Sequence, residues 1–304
     1  MAHAQSVVAP INLLLRFPAA ARGRSPLRRS LRSVTLVTLC ACTLMLASTW
    51  AHAVAYIRGA SAPWGQSTNE AAMDAIFGIG GWSDLRMADG PGPFLPGSGH
   101  SFIFLEGGDD TAIELNNYLT TYRTEIEAFV NGGGSLLLNS APNQGGNIDF
   151  GFGGVTLTYS ASSSSVVAAN AAHPVFSGPS TPVVTAYTGT AFGHAVVGGA
   201  GLNPIIIGAP GDPQDGLIVL GELSFGAGLV LLGGMTTDNF HSPQPEAANL
   251  RENIIAYAAS GGTAPPPTGS SPNAIPTLSP WGLAMLAGLI SMLALAGLRN
   301  RQRA

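Results

Sequence analysis

The sequence predicts an α/β fold: a mainly parallel sheet with flanking helices and a C-terminal β-hairpin, followed by one C-terminal transmembrane helix. Three stretches carry that prediction. Phe102-Ile103-Phe104-Leu105, an apolar stripe from Leu115 to Val130, and Ser135-Leu136-Leu137-Leu138-Asn139 read as strand, helix and strand. Short loops join them, which makes a right-handed crossover in a parallel sheet. Leu217-Ile218-Val219-Leu220 and Gly228-Leu229-Val230-Leu231-Leu232 flank Ser224-Phe225-Gly226-Ala227 as a hairpin. Trp281 to Leu298 is an uncharged run of 18 residues. As a helix it measures about 27 Å, enough to cross a bilayer core of about 30 Å.

The N-terminal residues, 1–53, read as an extension and a signal peptide. Arg28, Arg29 and Arg32 precede the apolar run Val34 to Ala47, and Ala51-His52-Ala53 supplies the small-x-small pattern of a cleavage site, placed after Ala53. Arg28-Arg29 also raises a twin-arginine route, but the motif around it is poor and Sec export is favoured. Residues 1–27 exceed a normal n-region, which fits a start codon assigned too far upstream. Cys40 and Cys42, the only cysteines, both fall in the signal peptide. The mature chain is therefore expected to have no disulfide, thiolate metal site or cysteine nucleophile.

With 304 residues, 46% of them hydrophobic, the chain can bury a real core. The segment from Val54 to Ala274 holds all 17 acidic residues but only Arg58, Arg86, Arg123 and Arg251, a formal charge of −13. Nucleic acid is excluded as a partner, because a phosphate backbone needs a basic footprint. The acidity suits solubility outside the cell, or divalent cations held between surfaces. No motif supports such a cation site, and no cofactor or metal is expected.

From Val54 onward the elements follow in order. Val54-Ala55-Tyr56-Ile57-Arg58 is a short apolar strand ended by Gly59. Ser67-Thr68-Asn69-Glu70 forms a capping box, and Ala72, Met73, Ile76 and Phe77 lie on one face of a helix over 68–78. Residues 89–100 are a glycine and proline loop. The strand at Phe102 runs into Glu106-Gly107-Gly108-Asp109-Asp110. Thr111 with Glu114 makes a second capping box, and Leu115, Tyr118, Leu119, Tyr122, Ile126, Phe129 and Val130 form the stripe of the next helix. Arg123 and Glu127 sit one turn apart on its wet side, and Asn131-Gly132-Gly133-Gly134 ends it. From 145 to 200 the text turns to Gly, Ser, Thr and Val, including a serine run at 162–165, and predicts short strands and loops. Ile205-Ile206-Ile207 and the hairpin follow. Leu250, Ile254, Ile255 and Ala258 mark a closing helix, so one domain spans 54–259.

Residues 260–274, with Pro265-Pro266-Pro267, can bury little and read as an extended linker. Residues 275–304 end the chain with Ile275-Pro276-Thr277-Leu278, Trp281-Gly282, the helix over 281–298, and Arg299, Arg301 and Arg303. The positive-inside rule puts these arginines on the cytoplasmic face, with Trp281 at the opposite interface. The Ile-Pro-Thr-Leu block, the Trp-Gly pair, one short helix and a basic tip closely resemble the IPTL-CTERM sorting signal of Gram-negative bacteria. That resemblance implies recognition by an exosortase-type membrane protease, cleavage near the motif, and transfer of the ectodomain from the inner membrane towards the surface.

A second resemblance covers Phe102 to Ala259. Phe129-Val130-Asn131-Gly132-Gly133-Gly134, His173-Pro174-Val175-Phe176-Ser177-Gly178, and Gly221-Glu222 leading to Phe225-Gly226-Ala227-Gly228 resemble the class I glutamine amidotransferase-like superfamily, especially its ThuA-like relatives. The resemblance implies a flavodoxin-like sheet. It carries over no catalytic residue, since the glutaminase cysteine has no counterpart.

In an open parallel sheet, ligands bind beyond the carboxyl ends of the strands. Three strand exits are polar: Glu106 with Asp109 and Asp110; Asn139 with Ser140; and Thr236, Thr237, Asp238, Asn239 and His241. Glu106, Asp110 and His241 are the catalytic candidates, since two carboxylates and a histidine can act as acid and base or hold a metal. Each also has a local explanation, because Asp110 suits a helix cap and Asp238 with Asn239 a turn. The chain has no Gly-x-Ser-x-Gly elbow, His-Glu-x-x-His or phosphate loop. Asp212 to Gly216 reads as a turn, His173 as a scaffold residue, and His100 and His194 as loop residues with no partner assigned. The missing nucleophile, linker and tail favour a non-catalytic surface protein that binds or builds something, with envelope or matrix polysaccharide as a partner. The competing expectation is a secreted carbohydrate-active hydrolase or lyase acting through Glu106, Asp110 and His241.

Overall fold

The computed structural model describes residues 54–263. The expected signal peptide with Ala51 and Ala53, the expected linker beyond 263, the helix expected over 281–298 and the terminal arginines lie outside the described residues. Among the described residues no helix is long and apolar enough to cross a membrane.

Eleven strands form one sheet: β1 (Val54–Arg58), β2 (Ser83–Arg86), β3 (Phe102–Glu106), β4 (Ser135–Asn139), β5 (Ile148–Gly151), β6 (Val155–Ala168), β7 (Ala186–Gly198), β8 (Asn203–Gly208), β9 (Ile218–Phe225), β10 (Gly228–Gly233) and β11 (His241–Ser242). Three α-helices accompany them among the described residues: α1 (Thr68–Phe77), α2 (Ala112–Asn131) and α3 (Glu246–Ala259). The strand order is β11-β7-β6-β8-β9-β10-β4-β3-β1-β2, with β5 on β6.

The predicted crossover is present. β3 runs parallel to β4 from Phe102 opposite Ser135 to Glu106 opposite Asn139, with α2 between them in the chain. Its strands are buried on both faces, as helix-covered parallel strands must be. Phe102, Phe104 and Leu137 face a core shared with α1 and α3, while Ile103, Leu105, Leu136 and Leu138 face Leu115, Leu119 and Ile126 of α2. Gly133, at φ 105°, takes the conformation that stops α2.

The flavodoxin-like, mainly parallel sheet does not form. Only β2, β1, β3, β4 and β10 run parallel; β5 to β9 and β11 join antiparallel, and β9 pairs antiparallel with β10. The antiparallel part closes on itself. β6 pairs with β8, β8 with β9, and β9 returns to β7 through Ile218 opposite Val197, while β7 pairs with β6. The cause is loop length. β5 reaches β6 through 152–154 and β9 reaches β10 through 226–227. A parallel crossover needs about a dozen residues or more, so these links permit only antiparallel neighbours. Where short strands and loops were expected, the serine run lies inside one long strand: Ala161 and Ser163 are buried while Ser162 and Ser164 are exposed, and β6 continues for 14 residues.

Neither capping box forms. Glu70 lies 3.3 Å from Arg58 instead of turning back to Ser67, and the Thr111 hydroxyl donates to the Gly108 carbonyl at 2.7 Å. At the other end of the sheet β10 begins hard against the end of α2: a Cβ on Gly228 would run into the carbonyl oxygens of Val130 and Gly134. Gly228→Ala is expected to cost about 2–3 kcal/mol, the upper part of the overpacking range. The measurement is a lower urea midpoint at unchanged slope.

Candidate functional site

The parallel strands β1, β3 and β4 end together on one edge, and their last residues are Arg58, Glu106 and Asn139. Strand pairing sets Glu106 opposite Asn139, and Arg58 follows Ile57, which pairs with Leu105. Asn139 ties the edge together: its Nδ2 donates to Glu106 Oε2 and to the Met235 carbonyl, both at 2.8 Å, and its Oδ1 accepts from Met235 N at 3.0 Å. The exits of β3, β4 and β10 are thus joined through one amide. Ser140 adds a bond from its hydroxyl to the Gly107 carbonyl at 2.8 Å.

Glu106 is 2% exposed. Burial pushes its carboxyl up to about 7, against the opposing pull of the Arg251 charge, the Asn139 amide and the Gly108 backbone N–H. Arg251 comes from α3, is itself buried, and donates through Nη2 to the Thr236 carbonyl. His241 is 4% exposed, with its ring stacked on Phe192 at 4.0 Å. Its Nε2 lies 3.0 Å from the Phe192 carbonyl and 2.9 Å from the Thr236 hydroxyl. A carbonyl can only accept, so Nε2 carries a proton. Burial first, and then the Arg251 charge, bring the pKa of this histidine down to about 3.

The three catalytic candidates therefore occupy different settings. Asp110 is exposed and accepts from the Ser61 hydroxyl at 3.2 Å. Glu106 bonds to Asn139, and His241 to Phe192 and Thr236. None of these hydrogen bonds joins one candidate to another, although Arg251 acts electrostatically on both Glu106 and His241. Asp109 sits at φ 54° and accepts weakly from Asn143 Nδ2 at 3.4 Å. Thr237 and Asp238 are buried and Asn239 is exposed. Among the described residues no group of three or more His, Cys, Asp and Glu comes together that could hold a metal.

Several residues at this edge have no signal in the sequence reading. Asn69, fully buried on α1, donates through Nδ2 to the Tyr56 hydroxyl at 3.1 Å. Arg58 pairs with both Glu70 and Asp84. His194 does have partners: its ring packs 4.6 Å from that of Trp64, and it bonds the Pro142 backbone, while burial lowers its pKa. The one available cue was Arg251, the only arginine in the apolar stripe of the closing helix, beside Leu250.

The comparisons with known proteins bear on the tail. Residues 273–303 match the IPTL-CTERM motif. The IPTL-CTERM match holds Ile275, Pro276, Thr277, Leu278, Trp281 and Gly282 and runs through Arg303. No curated protein sequence matches the chain. Among solved structures it is similar to a β-galactosidase from Bacillus circulans sp. alkalophilus, at 13% identity and a TM-score of 0.40, covering 69% of this chain and 31% of that one. A β-galactosidase from the haloarchaeon Halorubrum lacusprofundi gives 15% identity and a TM-score of 0.40, with 69% and 30% covered. A cytoplasmic protein from Salmonella typhimurium gives 16% identity and a TM-score of 0.38, with 67% and 98% covered. The chain thus spans about a third of the β-galactosidases it resembles. Likeness this distant assigns no chemistry. Nothing in the comparisons supports the amidotransferase-like resemblance.

Proposed function

We propose that this is an exported protein whose ectodomain, residues 54–259, works by binding rather than by catalysis, and that an exosortase-type enzyme sorts it from the inner membrane towards the cell surface. The observation that carries this reading is the match of residues 273–303 to the IPTL-CTERM motif. The signal peptide ending at Ala53 delivers the chain through Sec, and the helix over 281–298 holds it in the inner membrane. Arg299, Arg301 and Arg303 stay on the cytoplasmic side. The linker over 260–274 keeps the folded domain off the membrane. The binding role is supported by the engagement of Glu106, Asn139 and His241 in hydrogen bonds that tie strand exits together. The formal charge of −13 disfavours nucleic acid and leaves envelope or matrix polysaccharide as a partner class.

A hydrophobic helix with basic residues suffices for retention, whereas a processing enzyme must read chemical detail at the interface. Retention and processing should therefore separate. Replacing Pro276 and Trp281 with alanine keeps the apolar length, so the precursor is expected to insert and to accumulate uncleaved in the inner membrane of a native host. Pulse-chase with fractionation measures this. Processing at the wild-type rate would reduce Ile275 to Gly282 to an anchor flank.

A further inference from the structure

The edge at which the parallel strands begin, opposite the strand exits, carries an open groove of about 690 Å³. Phe94, Leu95 and Pro96 line it from the loop that leads into β3, Ala128 and Phe129 from the last turns of α2, and Gly134 from the turn into β4. Phe129 meets Phe94 edge-on at 5.5 Å, and it lies so close to Gly134 that a Cβ there would fall 2.5 Å from its ring. The walls are apolar yet open to solvent: Leu95 is 45% exposed and Ala128 is exposed. Glu125 is the one carboxylate in the lining.

The chain leaves the domain beside this groove. After α3 it turns at Gly261 and Gly262, at φ 68° and 84°, whose N–H groups donate to the Ala258 and Tyr257 carbonyls at 3.0 and 3.1 Å. A Cβ on Gly261 would lie 3.7 Å from Ser135 Oγ, and one on Gly262 would lie 3.1 Å from the Leu229 side chain. Ser135 directly follows Gly134, and its N–H donates to the carbonyl of Ser101, another residue of the groove, at 2.9 Å. Thr263 is held as well, its Oγ1 donating to the Ser260 carbonyl at 3.0 Å. The point of departure is thus fixed next to the groove, and Ala264 and Pro265-Pro266-Pro267 come next in the chain.

We propose that Pro265-Pro266-Pro267 dock in this groove as a polyproline II segment. At a rise of about 3.1 Å per residue, Pro265 reaches about 9 Å and Pro267 about 15 Å from Gly262. That is enough to pass the strand starts, since packed layers lie about 10 Å apart. Proline suits the walls because it brings no N–H to leave unmet against apolar surface, and its fixed φ leaves little entropy to lose. Aromatic-lined grooves recognise proline-rich segments in this way. Charge favours this occupant over a second copy. Residues 264–274 are uncharged, whereas two domains of formal charge −13 repel each other. Tethering supplies an effective concentration on the order of millimolar, so an affinity of about 0.1 mM keeps about nine-tenths of the chains docked. Docking leaves Thr268 to Ala274 to span the distance from the groove to Ile275, at most about 29 Å. The sorting motif is thereby kept close to this edge of the domain.

Docking stands apart from the sorting reading, which supplies only that consequence, and it is measured without a processing enzyme. Amide hydrogen exchange is followed on full-length protein in detergent, wild type against a variant carrying Pro265→Ser, Pro266→Ser and Pro267→Ser together. Release of the segment is expected to speed exchange about tenfold in residues 95–101 and 128–134, the ratio of docked to free chains. Leu95→Ser, which removes an apolar contact from the groove, should speed exchange in 128–134 in the same direction. Exchange within β3 and β4 should stay as in the wild type in both variants, because neither change touches the core. Unchanged exchange along the groove in the triple variant would overturn the proposal, and so would an increase spread equally over β3 and β4. Protection that survives the triple variant and falls on dilution would instead assign the groove to a second copy.

Discussion

Replacing Arg251 with methionine is expected to cost about 3 kcal/mol or more of stability, because it leaves a buried carboxyl without the charge that opposes its burial. Arg251 is 3% exposed and supplies the cation opposing the burial of Glu106. Methionine fills similar space but takes away that charge and the bond to the Thr236 carbonyl. Glu106 can then remain only by holding its proton, so its pKa rises further above 7. The loss should be greater at pH 8 than at pH 5, where the carboxyl is already protonated. Glu106→Gln in the Arg251→Met background should recover about 1–3 kcal/mol, because the amide needs no counter-charge. Urea unfolding of the four proteins of this cycle checks it. Equal losses at pH 5 and pH 8 would mean that Arg251 acts through packing alone.

Stability against pH should show two opposed gradients. His241 has its pKa lowered to about 3 from 6.5, so the unfolded chain binds its proton first. Its contribution is complete above pH 6.5 and is lost as pH falls towards 3, up to about 5 kcal/mol in all. Glu106 has its pKa raised to about 7 from 4.5, so the folded state binds the proton first. Its contribution is complete below pH 4.5 and is lost as pH rises through 7, up to about 3 kcal/mol. Between 4.5 and 6.5 the two slopes cancel. The wild type is expected to be nearly flat there, to fall below pH 4.5, and to decline slightly from 6.5 to 7. Glu222, whose carboxyl is held down by His173 and then Tyr257, adds to the acid limb. Single variants uncover the hidden slopes. Glu106→Gln should lose stability steadily from pH 6.5 downward, whereas His241→Phe should lose it from pH 4.5 upward. A wild-type profile and both variant profiles of the same shape would show that neither group titrates as its burial implies.

What the sequence determined by itself is what local periodicity encodes. The crossover of β3, α2 and β4 was legible because short apolar strands, a 3.6-residue stripe and a glycine stop lie next to one another in the chain. The hairpin of β9 and β10 was legible from two apolar runs around Gly226. The tail was the most specific of all, since six fixed positions beside an apolar run need no tertiary context. The tertiary structure alone decided the rest. The closing contact of Ile218 with Val197 depends on which strands meet, and a strand's neighbours are not written in its own residues. The serine-rich stretch predicted only short strands and loops because small polar residues are common in loops, yet pairing with β7 makes the serine run part of one long strand. At the strand exits Glu106 and His241 stood out by residue type, whereas Asn69 and Glu70 did not, and Arg251 was marked only by its place in the apolar stripe of the closing helix. A polar or charged residue on a helix ordinarily faces water. Only the packing of α1 and α3 over one edge of the sheet turned these three inward, and burial is what raised Glu106 and lowered His241.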